Sequence, residues 1–597
     1  MKEKLQKIFS IKNNAFHKII NILGLKVKFK RNYKDNNFVN NPIVKKSFSK
    51  PVSKDNFQTL HYVIAMLKEF DIKYVVASPG SQNAFFNLFV QNDKSFQTYS
   101  VIDERSAAYV ASGIASESNE PVVITCTGAT ASRNYLSAMT ECYYNKLPVI
   151  ALTFQPYAHN RFNIIPQYID RSVSQNDVKS INVNLPQINN NIDKEVCIAY
   201  LNAALTEAIY NKMPVHINCP SSHDWTKLEK ADLPKDIWKT KYYFSDFSNV
   251  KEKLVNKKIG IFIGSHKKFT QKEESALSKF ASSWNAPVFC DHTSNYNGEN
   301  KVLISQIAFM REIVETPDIM IDLGGICGDY SSNIIFGSAK IWRVDFSRDF
   351  KQRGQRAVHK IFGCEESFFF EELTNDKKNG NNYFELISKE VAQNKIPEIP
   401  LSIYFVSQQL SNNIPKNSSL HLAILSSLRS MDCYCLDKSI DVTSNVGGFG
   451  IDGAISTAVG QSLVNVNKKV FCLVGDLAFF YDINALGIRH IQKNLRILVV
   501  NNGRGSEFSM GGLYYPIRGE NDNLVAAAGH YKGNPVKGFS EGLGYKYLSA
   551  STKEEFLSKI NDFCNKDFDK PVIFEVFTTD ENEIKAFDLM YEFNRNI

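Results

Sequence analysis

VFCLVGDLAFFYDINALGIRHIQKNLRILVVNNGRGSEF, residues Val470 to Phe508, is the stretch that indicates the fold most directly. It contains two short apolar runs, Phe471 to Val474 and Ile497 to Val500, each of the length of a buried strand. The segment between them is helix-like, with apolar residues at Ile483, Leu486 and Ile491. The pattern predicts a strand, a crossover and a second parallel strand, so Asp476 and Asn502 at the strand ends should lie side by side.

Asp476 and Asn502 offer a carboxylate and an amide oxygen, which Mg²⁺ takes together with oxygens of a bound phosphate. The alternative is an ordinary Gly-Asp turn and an Asn-Gly turn without a ligand. The order Gly-Asp, spacer, Asn-Asn resembles the diphosphate-binding motif of thiamine diphosphate (ThDP) enzymes. This resemblance implies that Asp476, Asn502 and the backbone carbonyl of Arg504 hold Mg²⁺ against the cofactor. It also implies cofactor contacts for Gly475 and Leu477.

The chain is long enough for several domains. Its 597 residues, 43% of them hydrophobic, predict three or four. No apolar run approaches the ~18 residues of a membrane-spanning helix, and the N-terminus lacks the apolar core and cleavage site of a signal peptide. The eleven cysteines are scattered without metal-site spacing, so we expect reduced thiols. These features predict a cytoplasmic protein.

Positive charge is concentrated at the N-terminus. Residues 1–50 contain thirteen Lys or Arg and two acidic residues, a net charge of +11, which leaves −3 on the other 547 residues of a chain whose total is +8. The nearly neutral body argues against a nucleic-acid-binding protein.

The basic arm, residues 1–54, has apolar residues at helical spacing, namely Phe16, Ile19, Ile20 and Leu23. A basic cluster, Lys26 to Arg31, follows. Together they predict a short amphipathic helix that lies peripherally on an anionic membrane or docks on a partner, and a solvated flexible extension is the alternative. The segment IFSIKN to HKIINILGLKVKFKR resembles leader segments of some bacterial surface-glycan enzymes, which implies that setting.

Strands alternate with helices over residues 55–235, where apolar strand-like runs end in SPGS, in IDERSA and at Thr127-Gly128. This alternation predicts a doubly wound parallel sheet. The motifs, with PVHINCP at Pro214 to Pro220, resemble the pyrimidine-binding domain of ThDP enzymes. In particular, they resemble the menaquinone-pathway 2-succinyl-5-enolpyruvyl-6-hydroxy-3-cyclohexene-1-carboxylate synthases.

Glu104 follows an apolar strand and is the candidate catalytic residue. In ThDP enzymes, a buried carboxylate binds a nitrogen of the cofactor's pyrimidine ring and promotes loss of the thiazolium C2 proton. The resemblance implies this role for Glu104. The alternative is an ordinary glutamate at a helix start, where the helix dipole favours it.

A central α/β domain is predicted over residues 246–375, after a charged linker. Its strands GIFIG, PVFC, IMIDLGG and KIWRVD alternate with helical patterns. The turn at Gly324-Gly325 lacks the full dinucleotide fingerprint, so we expect a structural domain without flavin or nicotinamide. Residues 375–400 are interpreted as a second linker.

A third α/β domain, diphosphate-binding by resemblance, is predicted over residues 401–597. It contains SNVGGFGIDGAISTAVG, whose glycines let a ligand approach the start of a helix. The resemblance implies that Gly450 and Ile451 contact the cofactor, with Ile451 as the apolar wedge that bends it. A glycine-rich turn with a core isoleucine is the alternative.

Three positions depart from the menaquinone enzymes, whose arginines the resemblance assigns to substrate carboxylates. Gln82 and Val446 replace two of them, and Arg429 lies two positions out of register with the third. Losing two contacts of ~1.5–3 kcal/mol each weakens dicarboxylate binding at least about a hundredfold. The substrates are therefore expected to differ. The candidate substrate residues are Ser81, Gln82, Gln167, Arg429, Val446 and Phe508.

The sequence predicts a ThDP- and Mg²⁺-dependent decarboxylase or carboligase acting on a small 2-oxoacid donor and an acceptor. The pyrimidine-binding and diphosphate-binding halves lie at opposite chain ends, so the resemblance implies a homodimer or homotetramer with shared active sites. Two alternatives stay open: the menaquinone synthase itself with a rearranged acid pocket, and a non-catalytic assembly protein on the same fold. Retention of Glu104, Asp476 and Asn502 argues against the second.

Overall fold

The structure is a computed structural model of the chain. The chain divides into two compact units, residues 1–55 with 188–194 and residues 56–187 with 195–597. The structure describes residues 9–13, 17–22, 25–30, 57–155, 164, 167–170, 175–221, 232–237, 247, 250–308, 315–346, 358–375, 380–510, 523–529 and 533–596.

The smaller unit contains a three-stranded antiparallel sheet, with β1 at Phe9–Asn13, β2 at His17–Ile22 and β3 at Leu25–Lys30. In its register, Ile20 pairs with Ile11 and with Val27. The helix predicted for the arm is therefore wrong. The physical reason lies in the sequence, because LKVKFK alternates with a period of two and β-branched isoleucines favour strands. Phe16 and Leu23 of that prediction lie outside the described residues.

The first sheet of the larger unit has six parallel strands in the order β5-β4-β6-β7-β9-β8. The strands are β4 Tyr74–Ala77, β5 Gln97–Ser100, β6 Val122–Cys126, β7 Val149–Gln155, β8 Ile181–Asn184 and β9 Val215–Pro220. The helices are α1 Gln58–Glu69, α2 Ala84–Asn92, α3 Glu104–Ser118, α4 Thr130–Asn134, α5 Leu136–Asn145 and α6 Asn191–Tyr210.

The second sheet is also parallel, in the order β12-β11-β10-β13-β14-β15. Its strands are β10 Ile259–Ile263, β11 Val288–Cys290, β12 Lys301–Leu303, β13 Ile319–Leu323, β14 Lys340–Val344 and β15 Val358–Phe362. Its helices are α7 Gln271–Trp284, α8 Ile304–Ala308, α9 Glu366–Leu373 and α10 Tyr383–Val391. Residues 375–400 were interpreted as a linker, but Tyr383–Val391 within them form helix α10. The helix packs on this domain because Tyr383 and Ile387, one helical turn apart, are both buried in the core of the sheet.

The third sheet is parallel in the order β17-β16-β18-β19-β21-β20. Its strands are β16 Ser419–Leu422, β17 Asp441–Ser444, β18 Val470–Gly475, β19 Leu495–Asn501, β20 Lys546–Ala550 and β21 Val572–Phe577. Its helices are α11 Ile403–Asn413, α12 Ser426–Asp432, α13 Ala454–Val464, α14 Asp476–Tyr481, α15 Pro535–Gly542, α16 Lys553–Asn565 and α17 Asp580–Asn596. The prediction of three doubly wound parallel sheets is confirmed.

Helices α3 and α13 join the first and third sheets through one shared apolar core. Glycines at the crossing allow the backbones to touch, because a Cβ on Gly113 would overlap the carbonyl of Thr457 and one on Gly460 would overlap that of Val110. The start of α3 and the loop before α13 are thereby fixed relative to each other. Within the described residues, no helix has the length and apolar character needed to cross a membrane.

Candidate active site

Asp476 lies at the carboxyl end of the third sheet, where β18 passes into α14. Strand β18 pairs in parallel with β19, and Gly475 stands opposite Val500. The two strand ends therefore meet at one edge, and Asn502 directly follows β19. Asp476 is buried at this edge, with only 3% of its surface exposed.

Burial raises the pKa of Asp476 to about 7. The backbone N–H groups of Leu477 and Gly503 lower this pKa, and the Glu575 carboxylate raises it further. A bound cation would stabilise the charged form of this buried carboxylate.

The turn after β19 is held by its own hydrogen bonds. The Oδ1 atom of Asn502 accepts from the backbone N–H of Arg504 at 3.2 Å. Gly503 has a φ of +74°, the left-handed conformation that favours glycine. The backbone N–H of Gly505 donates to the carbonyl of Ala526 at 2.6 Å, so residues 502–505 have a defined conformation.

Asp476, Asn502 and the backbone carbonyl of Arg504 would offer a cation one carboxylate and two neutral oxygens. In the part of the chain that the structure describes, no group of three or more His, Cys, Asp or Glu is arranged to hold a metal ion. A hard divalent cation at Asp476 would therefore take further oxygens from water or from an anionic ligand. The donor set fits a shared metal and phosphate site better than a metal centre closed by protein alone.

A glycine-rich segment, residues 447–453, leads into α13 and is called the glycine loop below. Gly453 has a φ of +82°, and a Cβ there would overlap the ring of Tyr109. The loop thus packs closely on α3, whereas Ile451 is 37% exposed in the single chain. An apolar side chain of this size is available to contact a ligand or another protein surface.

Glu104 is the first residue of α3, and the preceding Asp103 caps the helix by accepting from the backbone N–H of Ser106 at 2.8 Å. Asn134 donates from Nδ2 to Glu104 Oε2 at 3.2 Å. Burial raises the pKa of Tyr135 well above its usual value, and the Glu104 carboxylate contributes. A carboxylate at this helix start is thus oriented by an amide and has a buried phenol nearby.

The start of α3 contacts the end of α14 and the short 3₁₀ helix after it within the chain. Arg105 donates to the carbonyl of Tyr481 at 3.1 Å, and Ser106 Oγ donates to Asn484 Oδ1 at 3.2 Å. Asp476, in contrast, begins α14. Next to Glu104, Ile102 is 88% exposed.

Three candidate substrate residues lie at the first sheet. Ser81 is exposed, whereas Gln82 is only 3% exposed. Gln82 donates from Nε2 to Gln167 Oε1 at 3.4 Å, so the structure brings these two residues together. Among the described residues, Gln82 Oε1 is buried without a hydrogen-bond partner. The pair therefore presents a neutral acceptor.

The other three candidates lie at the third sheet. Arg429 donates from one nitrogen to both carboxylate oxygens of Glu507, at 2.8 and 2.7 Å, and the ion pair is largely buried. Phe508 is half-buried and ends a 3₁₀ helix that begins at Ser506. Val446 is fully buried in the core of this domain. The Arg429 guanidinium is thus already engaged by a carboxylate of the protein.

Sequence reasoning missed four polar residues of this region, namely Asn134, Glu141, Asp452 and Glu507. Asn134 follows the Thr127-Gly128 turn closely, and that proximity was the available signal. Glu507 pairs with a residue 78 positions away, and no local pattern announces such a contact.

Residues 57–179 match the family model of the thiamine pyrophosphate enzyme N-terminal TPP-binding domain. The chain is a ThDP-dependent enzyme. The matched segment of this ThDP enzyme contains Glu104, Asn134 and the whole of α3 to α5.

Most of this ThDP enzyme is similar to proteins named 2-succinyl-5-enolpyruvyl-6-hydroxy-3-cyclohexene-1-carboxylate synthase. One from Bacteroides fragilis is 28% identical over 559 residues, covering 89% of this chain and 98% of the relative. One from Flavobacterium johnsoniae is 27% identical, covering 87% and 96%. One from Staphylococcus aureus is 24% identical, covering 88% and 95%.

Proposed function

We propose that this enzyme is a Mg²⁺-dependent carboligase or decarboxylase of 2-oxoacids. The observation that carries the proposal is the buried Asp476 carboxylate beside Asn502 in a chain with a TPP-binding domain. When bound, ThDP supplies the nucleophilic carbon and the electron sink for losing CO₂ from a 2-oxoacid and transferring the remaining fragment. Release of CO₂ from a panel of 2-oxoacids by the ThDP-loaded protein tests this, and no release from any of them would contradict it.

The residues at the edge of the third sheet would hold the cofactor's charged end. Asp476, Asn502 and the carbonyl of Arg504 would bind Mg²⁺, and the ion would neutralise both the buried carboxylate and the diphosphate. Gly475, Leu477 and Gly450 would contact the cofactor, and Ile451 would support its bent shape. Glu104, oriented by Asn134, would hold a proton shared with the pyrimidine ring.

The active site would be completed by a second copy of the chain. Within one chain, Arg105 and Ser106 contact the end of α14 opposite Asp476, and both Ile102 and Ile451 are exposed. A partner's pyrimidine-binding domain placed over the Ile451 edge would cover these apolar side chains. We therefore propose at least a homodimer, in which each site combines Glu104 of one chain with Asp476 of the other.

Mixed dimers test the shared site. When a Glu104→Ala chain is combined with an Asp476→Ala chain, one site receives both defects and the other receives neither. Such dimers should have about half the wild-type activity, whereas both mutant homodimers should be inactive. Activity is measured on dimers purified through two different tags, and absence of recovery would contradict the shared site.

The donor pocket would suit a 2-oxoacid without a second carboxylate. Glu507 already neutralises Arg429, and Gln82 presents a neutral amide at a position where carboxylate binding would need a cation. A distal carboxylate buried there would lose its hydration without gaining a charged partner. We therefore propose pyruvate or a similar small donor rather than 2-oxoglutarate.

Donor preference gives a quantitative test. The wild-type enzyme should favour pyruvate over 2-oxoglutarate by at least about a hundredfold in kcat/KM. Glu507→Gln removes the competing carboxylate from Arg429, and it should raise 2-oxoglutarate use about tenfold. CO₂ release is the common signal, and Glu541→Gln on the exposed face of α15 is the matched control. A wild-type kcat/KM for 2-oxoglutarate of ~10⁴ M⁻¹s⁻¹ or above would contradict the proposal.

The names of the relatives favour a second candidate, the menaquinone-pathway synthase activity. Product formation from 2-oxoglutarate and isochorismate would establish it in place of the altered donor. If the acceptor is not isochorismate, the basic arm is the feature that points to another one. Its resemblance to surface-glycan leaders favours a nucleotide sugar as the acceptor, and its charge of +11 favours a position near an anionic membrane. An acceptor screen with nucleotide sugars tests that setting.

A further inference from the structure

We propose that Glu141 and Tyr109, both in the pyrimidine-binding domain, are positioning residues that hold the glycine loop of the same chain. The loop carries Ile451, so this inference rests on the proposed role of Ile451 at the cofactor. It assigns residues of one domain to two different active sites. Glu104 would act at the site that contains the partner chain's glycine loop, whereas Glu141 and Tyr109 would hold the glycine loop of their own chain.

Glu141 on α5 holds the first part of the loop. Its side chain is 1% exposed, and its Oε1 atom accepts from the backbone N–H of Gly447 at 2.9 Å. Its other oxygen accepts from the backbone N–H of Gly448, and Asn145 Nδ2 donates to Oε1. Three N–H donors thus converge on one buried carboxylate. Hydrogen bonds of this kind fix geometry strongly, because leaving any partner unpaired in a buried place is costly.

The backbone of the first part of the loop also lies in close contact with α5. A Cβ added to Gly447 would lie 2.7 Å from the backbone oxygen of Glu141 and 2.8 Å from Cβ of Tyr144. Glycine is therefore required there by the approach of α5. The loop backbone rests directly on the helix that carries Glu141.

Tyr109 on α3 holds the second part of the loop. Its hydroxyl donates to Asp452 Oδ2 at 2.6 Å, and Gly453 packs against its ring. Burial raises the pKa of Tyr109 well above its usual value, so the hydroxyl keeps the proton that it donates. Glu141 thus holds the loop before Ile451, and Tyr109 holds it after Ile451. Ile451 itself is 37% exposed.

The position of Tyr109 on α3 links two active sites in the proposed dimer. Helix α3 begins with Glu104, and Tyr109 follows five residues later, about one and a half helical turns. The same rigid helix would therefore present Glu104 to one site and fix Ile451 of the other. Beyond the loop, Asp482 accepts from the backbone N–H of Ser456 at 2.7 Å, which fixes the start of α13.

Glu141→Gln is the first test. Glutamine offers one acceptor oxygen and places an NH₂ group against an N–H donor, so the hold on the loop is lost while the shape is kept. Burial raises the pKa of Glu141 to about 8, so the measurement is made above pH 8, where the side chain is a carboxylate. We expect ThDP affinity in the presence of Mg²⁺, measured by titration calorimetry, to fall about tenfold to a hundredfold. The C2-proton exchange of bound ThDP should slow as well. Tyr109→Phe, which removes one hydroxyl, should produce the same change in smaller measure.

Glu117→Gln is the matched control. Glu117 lies at the other end of α3 and pairs with Lys268 at 3.1 Å and with Lys468 at 3.0 Å. Its replacement should lower the unfolding temperature but leave ThDP affinity within about twofold of wild type. If both Glu141→Gln and Tyr109→Phe bound ThDP and exchanged its proton as the wild type does, the inference would be wrong.

A mixed dimer tests whether Glu141 acts within its own chain. In a dimer of a Glu104→Ala chain and a Glu141→Gln chain, both defects should fall in one site, leaving the other intact at about half the wild-type activity. If Glu141 acted across the interface as Glu104 does, each site would carry one defect and activity would stay low. The Glu104→Ala and Asp476→Ala pair is run beside it. Failure of that pair overturns the shared site, whereas failure of the Glu141 pair alone overturns this inference.

Discussion

Replacing Glu104 by alanine is expected to slow exchange of the C2 proton of bound ThDP by about 10²–10⁴-fold, the usual contribution of a positioned acid or base. Cofactor binding should persist, because the residues proposed for the diphosphate and metal belong to the third sheet. The exchange rate is measured by quenched-flow deuterium exchange with NMR detection. Affinity for ThDP is measured in parallel, so that loss of the proton relay is separated from loss of the cofactor.

Two further variants sharpen the Glu104 experiment. Asn134→Ala removes the amide that donates to Glu104 Oε2, and it should slow exchange to an intermediate extent. Glu120→Ala, at an exposed carboxylate that pairs with Lys73 beyond the end of α3, should leave the exchange rate unchanged. Exchange at the wild-type rate in Glu104→Ala would show that another group assists loss of the proton.

The adjacency of Asp476 and Asn502 could be predicted because it depends on local sequence patterns. Two apolar runs of strand length, each ending in polar residues, place Asp476 and Asn502 together once the strands are parallel neighbours. The structure has this pairing, with Gly475 opposite Val500. The same reasoning predicted the parallel sheets, since alternating strands and helices leave few other connections.

Contacts between distant parts of the chain could not be predicted in this way. Glu141 bonds to Gly447 across 306 positions, and Arg429 bonds to Glu507 across 78. Neither glutamate stands out by its neighbours in sequence. Their partners depend on how whole domains pack, which periodicity does not encode.

The basic arm shows a different reason for failure. Ile19 and Ile20 are compatible with a helix at a period of 3.6 and with a strand at a period of two, and short segments support both. The alternation in LKVKFK was the better guide, and the structure has Leu25–Lys30 as a strand. The helix at Tyr383–Val391 was missed because the polar residues before it suggested a linker throughout.

Replacing Asp476 by alanine or asparagine is expected to abolish the Mg²⁺-dependent binding of ThDP. Asp476 supplies the one carboxylate of the proposed donor set, and neutral oxygens alone hold Mg²⁺ poorly. Titration calorimetry with ThDP, with and without Mg²⁺, measures the effect. Retention of Mg²⁺-dependent binding in both variants would show that the cation is held elsewhere.

Replacing Asp476 should abolish cofactor binding without lowering the stability of the cofactor-free protein. Burial raises the pKa of Asp476 from 3.8 to about 7, so this group's stabilising contribution is full below pH 3.8 and is lost as pH rises through 7. Asp476→Asn removes the cost of burying an ionised carboxylate. Near neutral pH, the cofactor-free variant should therefore unfold at a temperature no lower than that of the wild type. Added ThDP and Mg²⁺ should raise the unfolding temperature of the wild type alone. A site kept for a cation costs stability until the cation binds. A cofactor-free variant clearly less stable than the wild type would instead mean that Asp476 stabilises the fold.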